Sequence, residues 1–351
     1  MGHQTLNDSL LNRRNSLNFI RLVLAAIVIV GHAPLQLYGD SNITDIWVRK
    51  VNSLGSYAVM MFFVISGYLI LASTRHGNLK SYAWRRFLRI YPAYWGMLLF
   101  IAFIAAPLSS LLGYFPSNGW EVSQSVRYLI SNFTIVSPSY VADIAGSPAG
   151  VGVPGVWNGP IWTLKYEVVL YVVLIPFGFL SFIKNKQRLY VTIFAIFSAI
   201  FAAYSYLADF VFPGFNNLPH LMSFFFMGSL FYVWGDKIIV KREMSILCAI
   251  LSIVIFLLNS ELPNLLLQPL FAYAILTLGV VLKTDFAQKN DISYGLYIYG
   301  WPVQQVLLMV GFSTLSWPIN ALVTCVVAVA LASVSWFLIE RPALSLKRIV
   351  K

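Results

Sequence analysis

Charge is scarce in this 351-residue chain, and negative charge is scarcest. Lys and Arg number 24, Asp and Glu 13, and together they make up 11% of the residues, where soluble proteins carry about 25%. Charge this sparse excludes an ordinary soluble domain, a disordered chain and a charged coiled coil. Cysteine is nearly absent. Cys248 and Cys325 both lie inside apolar runs, so there is no disulfide framework and no metal-ligand spacing. They read as buried small hydrophobes, and no metal is expected. Also missing is any internal or inverted repeat of the transporter kind.

Hydrophobic residues are what is there, at 59%. Apolar runs of membrane-crossing length recur from residue 18 to residue 339, which predicts an all-α polytopic membrane protein. Ten helices are expected, near 17–38, 52–73, 85–108, 160–180, 189–208, 218–234, 245–260, 264–282, 290–310 and 317–339. The first run follows Arg13 and Arg14 as in a signal peptide. It is too long for one, holds Arg21 and His32, and lacks a small-residue cleavage site, so it is expected to stay as a span.

The net charge of +11 would point to nucleic acid in a soluble protein. Here the cations sit between the apolar runs. With a cytoplasmic N-terminus, 19 Lys and Arg fall on inner segments and 3 on outer ones, Arg49, Lys50 and Arg127. That asymmetry predicts an even number of spans with both termini cytoplasmic, in the cell's inner (cytoplasmic) membrane, among membrane lipids and without a nucleic-acid partner. The segment 109–159 is expected outside. It is rich in Gly, Pro and Ser, and 120–136 reads as a short interfacial helix within it.

Ionisable groups inside spans are functional candidates by default. Arg21 and His32 are eleven residues apart on one helix, so they share a face and lie about 16 Å apart along its axis. The bland alternative is a snorkelling arginine and a hydrogen-bonded structural histidine. Arg85, Arg86 and Arg89 open the third run, near a helix N-terminus. Guanidiniums there suit phosphate, although ordinary positive-inside topology or lipid headgroups would explain them equally. Glu167 lies about seven residues, roughly 10 Å, inside the outer end of the fourth run, a depth matching that of His32. The pairing of Glu167 with His32 is therefore expected, with an ion pair to Lys165 or an arginine as the competitor. Lys165 is on another face and snorkels outward; Tyr166 and Tyr171 read as aromatic packing. His220 follows Asn216-Asn217-Leu218-Pro219 at the outer end of the sixth run, as an interfacial residue or part of an acceptor site. His3 and His76 carry no signal, and the sequons at Asn42 and Asn132 face outward.

With these residues in place, the chain resembles the acyltransferase 3 family of integral membrane O-acyltransferases, from about Asn15 to Pro342. Arg21 and His32 in the first run carry the resemblance, with Phe62-Phe-Val-Ile-Ser-Gly-Tyr68 in the second. Arg85-Arg86-x-x-Arg89 followed by Ile90-Tyr91-Pro92-Ala-Tyr94-Trp95 adds to it, as does Trp162-Thr-Leu-Lys-Tyr-Glu167. The tail supplies Ile292-Ser-Tyr-Gly-Leu-Tyr297 and Ile339-Glu-Arg-Pro342. The order and spacing make the match specific. The resemblance implies ten helices forming a single domain over 1–351. It implies transfer of an acyl group, usually acetyl, from acyl-CoA to a carbohydrate hydroxyl, with Arg21 and His32 essential and the arginine cluster, together with Tyr94, serving the donor. Many members carry a histidine where this chain has Gly300, so no second histidine role carries over. No appended hydrolase-like domain is expected.

The residues read independently agree. Inward arginines would hold the nucleotide of acyl-CoA, acetyl-CoA being the expected donor, while the thioester reaches the outer half. His32 would deprotonate an incoming hydroxyl, and Glu167 would orient the imidazole. Lys165, Trp162 and His220 are expected on the path of the acceptor, a carbohydrate or lipid-linked glycan. The rival class is a polytopic transporter or exporter of a glycan or glycolipid, which buried charge also suits. The missing repeats and the phosphate-type arginine cluster stand against it.

Overall fold

The structure, a computed structural model, describes residues 5–11, 15–39, 45–75, 78–116, 119–136, 140–210, 213–258 and 267–350. Arg13, Arg14, His3, His76 and the Asn42 sequon lie outside the described residues. Among those described the chain is helical, without strands. The principal helices are α1 (Leu17–Tyr38), α2 (Ile46–Ser73), α3 (Leu79–Phe100), α4 (Val122–Ser131), α5 (Trp162–Val173), α6 (Gln187–Leu207), α7 (Leu218–Val233), α8 (Arg242–Leu258), α9 (Gln268–Val281), α10 (Ser293–Met309) and α11 (Trp317–Ser335). Every apolar run expected to be helical overlaps one of them.

Six helical stretches are long and apolar enough to cross a membrane: Leu17–Tyr38, Ile46–Ser73, Leu79–Leu111, Trp162–Phe179, Gln187–Leu207 and Trp317–Arg348. Leu218–Val233 and Gln268–Val281 are apolar but shorter. The protein is a multi-pass membrane protein.

Polar caps move two boundaries from where hydropathy places them. The Asp45 carboxylate accepts from the backbone N–H of Trp47 at 2.7 Å and of Val48 at 3.3 Å, starting α2 six residues early. Arg49 and Lys50 therefore lie on the helix rather than in a loop. The Asn78 side chain accepts from the Ser81 N–H at 2.8 Å and starts α3 at Leu79. Arg86 and Arg89 thus sit two turns and more inside the helix. The free N–H groups and dipole of a helix N-terminus, expected beside them, are instead at Leu79–Ser81. A π-turn at Ile101–Ala105 joins α3 to Ala106–Leu111, and a second, Trp336–Glu340, follows α11.

α2 is the central helix, packed on α7 along one side and α1 along the other. Small residues allow the approach, as lipid-embedded helix pairs require. A Cβ on Gly67 would stand 1.8 Å from the Phe225 carbonyl oxygen, and one on Gly228 1.9 Å from that of Val64. On the other side Gly31 meets Gly55, with its Cβ position 2.6 Å from the Gly55 nitrogen. α10 packs between α1 and α11, and Gly300 lies where Ile29 fills the space, 2.6 Å from a Cβ. A side chain at 300 would require Ile29 to move aside.

The long segment before α5 is packed against the helices rather than free of them. α4 is the expected short helix, begun by a Glu121–Gln124 capping box, with Val126 and Ile130 exposed and Tyr128 buried. Beyond it the chain folds down between α1 and α10. Trp157 is fully buried, and Asn158 donates to the Ile298 carbonyl at 2.8 Å. Gln305 donates to the carbonyls of Val153 and Val156, and the Trp301 indole also donates to Val156. Gly152 approaches the Gln36 carbonyl so closely that a Cβ would lie 2.1 Å from it.

Candidate functional site

A cavity of about 110 Å³ lies among α1, α2, α3, α5 and α10. It follows α2 from Val59 to Ile70, eleven residues or about 16 Å of helix axis. One end carries Arg21 from α1, Arg86 and Arg89 from α3, and Tyr171 from α5. At the other end lie Val59, Thr163 and Tyr297, the two hydroxyls 2.5 Å apart. Positive charge at one end and neutral hydroxyls at the other give the cavity a direction.

The arginine end is organised by a carboxylate absent from the sequence-derived site. Asp291 Oδ2 accepts from Arg89 at 2.7 Å and from Arg21 at 3.1 Å, so one oxygen bridges α3 and α1. Its other oxygen accepts from the Ser293 hydroxyl at 2.5 Å and backbone N–H at 3.3 Å. Burial, the largest single influence, would raise this carboxyl. Arg89, then Arg21, then the Ser293 hydrogen bonds override it and hold it at about 2. Asp291 falls at the polar edge of the run expected over 290–310, two residues ahead of the start of α10 at Ser293, and is left out of the charges read as lying inside spans. The pattern that finds it is Asp-x-Ser at a helix start, the aspartate one residue before the N-cap Ile292, in a chain with few acids. Glu340, fully buried in the second π-turn, is near this cluster; its Oε1 accepts from Ser335 at 3.4 Å and its Oε2 has no partner.

Arg86 stands apart from this pairing. Its guanidinium lies over the rings of Tyr82 and Tyr171 at 6.0 and 5.8 Å, its Nε is buried without a hydrogen bond, and no ion pair to it occurs among the described residues. The cluster expected from spacing is split. Arg85 turns back along its own helix, donating to the Ser81 carbonyl at 3.1 Å and hydroxyl at 2.7 Å, outside the cavity. Tyr94 is also elsewhere: it is buried and donates to the Asn132 carbonyl at 2.7 Å, fastening α3 to the chain after α4. Asn132 itself is buried, so the second sequon is not on the surface.

Glu167 and His32 are not brought into contact. Glu167 lines the cavity and accepts a short hydrogen bond from the Tyr171 hydroxyl, one turn along α5; among the described residues it makes no ion pair with Lys165 or an arginine. Tyr171, read from sequence as packing, is thus a polar member of the site. The side chain of His32 lies between α2 and α10. Its ring meets Trp301 edge-on at 5.2 Å, and Gly55 leaves it room, a Cβ there standing 3.4 Å from the imidazole. Its Nδ1 is buried and has no hydrogen-bond partner. The matched depths along separate helices did not determine facing, which is set by rotation about each axis.

A second cavity adjoins the first, and Val59 lines both. Trp162 and His220 line it together, with Tyr206, Asp209 and Asn216. His220 Nε2 is buried without a partner. Lys165 reaches away to the Gly214 carbonyl at 2.9 Å, over the rings of Tyr166 and Phe215, as a snorkelling lysine does.

Comparison with known proteins joins this geometry to chemistry. Residues 14–337 match the family model described as the acyltransferase domain. Two relatives are similar along nearly their whole length. The first, "Nodulation protein 10" of Rhizobium leguminosarum bv. viciae, is 26% identical over 97% of this chain and 96% of its own. The second, "O-acetyl transferase" of Shigella phage Sf6, is 26% identical over 94% of this chain and 96% of its own. No solved structure matches the chain.

Proposed function

Because the chain belongs to the acyltransferase domain family and is a membrane O-acetyltransferase, we propose that it carries an acetyl group from cytoplasmic acetyl-CoA to a hydroxyl of an extracytoplasmic or lipid-linked carbohydrate. The observation that carries this reading is the polarity of the main cavity. Arg21, Arg86 and Arg89 converge at one end, and the space then runs about 16 Å along α2 toward Val59. Guanidiniums fork onto phosphate oxygens, and the mostly apolar remainder, lined by Val59, Phe62, Phe63 and Leu164, accepts a pantetheine arm. In this reading the arginine end faces the cytoplasm, in the cell's inner membrane.

The adjoining cavity receives the acceptor. Its aromatic rings, Trp162 and Tyr206, suit the apolar face of a sugar, while Asp209 and Asn216 suit its hydroxyls. His32 is the base. Its ring packs on Gly55, one turn along α2 from the Val59 shared by both cavities. As the acceptor oxygen bonds to the thioester carbonyl carbon, the imidazole takes the hydroxyl proton. The carbon–sulfur bond then breaks, and the CoA thiolate leaves and recovers that proton. Glu167 and Tyr171, hydrogen-bonded to each other, belong to the donor end.

The test uses purified protein in lipid vesicles with acetyl-CoA and candidate oligosaccharides, following CoA release. Release that depends on the carbohydrate is expected, and His32→Ala should lower it by about 10²–10⁴-fold while CoA binding survives. A His32→Ala protein that keeps most of its turnover makes His32 structural. Absence of CoA binding would remove acyl-CoA as the donor.

A further inference from the structure

We propose that Asp291 is an internal competitor for the donor's phosphates: its carboxylate occupies the guanidiniums of Arg21 and Arg89, and donor binding exchanges that carboxylate for phosphate. The inference rests on the reading of the arginine end as the donor's phosphate site.

Three observations carry it. Both arginines converge on one oxygen, Oδ2, each through a single terminal nitrogen, Nη1 of Arg21 and Nη2 of Arg89. A guanidinium that binds phosphate through its planar fork uses two parallel N–H groups, so the pairing with Asp291 spends these groups singly. Second, one guanidinium of the site stays out of the pairing with Asp291. Arg86 lines the same cavity with a buried, unpartnered Nε and no ion pair among the described residues. Glu167 in the same cavity and Glu340 beyond Arg89 accept from neutral hydroxyls, those of Tyr171 and Ser335, and neither forms an ion pair with a guanidinium among the described residues. Third, Asp291 has somewhere to go. Its Oδ1 is already held by the hydroxyl and N–H of Ser293, the first residue of α10. A carboxylate at a helix N-terminus is stabilised there without the arginines. The carboxylate can therefore give up the guanidiniums without being left buried and unpaired, whereas two arginines without any anion would repel one another. A dianionic phosphate carries more charge than the carboxylate and matches the forks, so it displaces it. Asp291 keeps the arginines in place between turnovers and holds donor affinity down, which lets CoA leave.

The experiment compares CoA binding by the intact protein in uncharged detergent for wild type and Asp291→Asn, which preserves shape and the capping oxygen. We expect Asp291→Asn to bind CoA at least about tenfold tighter, a modest share of what one charge a few ångströms from a phosphate carries. Ser293→Ala, which loosens only the second grip on the carboxylate, guards against a variant that fails to fold. It removes the destination and should weaken CoA binding severalfold. Phosphatidylglycerol mixed into the micelles is the second arm: tightening for CoA without tightening for the lipid identifies the donor. Wild type that binds CoA while Asp291→Asn binds it equally or more weakly overturns the proposal and leaves the phosphate site standing. Tightening for the lipid alone also overturns it. Absence of CoA binding in both proteins overturns the donor reading itself, and this inference with it.

Discussion

At the scale of residues, Asp291 shows how one scarce carboxylate sets a local pH response. Its carboxyl is held at about 2, below its ordinary 3.8, so it contributes stability that is complete above pH 3.8 and lost as the pH falls through about 2. In thermal melts the gap between wild type and Asp291→Ala should stay constant from about pH 7 to pH 5 and shrink below about pH 4. At neutral pH that gap should correspond to about 3–5 kcal/mol, the usual penalty for breaking a buried pair. A gap that grows on acidification contradicts the assignment. Arg86 and Tyr94 form a second contrast. Arg86→Ala should weaken CoA binding by about 1.5–3 kcal/mol, the range for a charged hydrogen bond. Tyr94→Phe should leave it unchanged, because that hydroxyl serves Asn132. A loss of CoA affinity in Tyr94→Phe would restore tyrosine 94 to the donor site. Arg21, Arg86, Arg89 and Glu167, which line the main cavity, stood out in sequence because charge inside an apolar run is costly; Arg85 and His32 stood out for the same reason and line neither cavity. Tyr171 and Asp291 did not. An aromatic hydroxyl in a helix looks like packing until its partner is known, and an aspartate at the polar edge of the run expected over 290–310 looks like part of the adjoining connection.

Helices were the most legible elements, since length and hydropathy alone define them. α1 starts and stops where its apolar run does, at Leu17 and Tyr38. The beginnings of α2 and α3 were misplaced because Asp45 and Asn78 cap the backbone ahead of the apolar residues. That error placed Arg86 and Arg89 at a helix end they do not occupy. Contacts between helices depend on rotation and crossing, which the pattern of spans leaves open. The α2–α7 pair is the clearest case, with Gly67 and Gly228 each against a carbonyl of the other helix. Gly228→Ala should therefore destabilise the fold by about 1–3 kcal/mol or more, as overpacking does, lowering the melting temperature in detergent. An unchanged melting temperature would show that the two helices can separate freely.

The whole molecule unites two cavities at Val59, one with arginines at its far end and the other with rings and amides. Orientation in the membrane gives this arrangement its meaning. If the asymmetry of basic residues sets topology, a cysteine at position 130, on the exposed face of α4, reacts with an impermeant reagent from outside. One at position 348 does not. Reversed labelling would invert the molecule. The most direct test of the central claim is the sidedness of donor use in sealed vesicles of known orientation, with acetyl-CoA on one face and acceptor carbohydrate on the other. The account predicts CoA release only when acetyl-CoA is on the face that exposes position 348, and its loss in Arg86→Ala. Turnover sustained by acetyl-CoA supplied solely to the opposite face would contradict it.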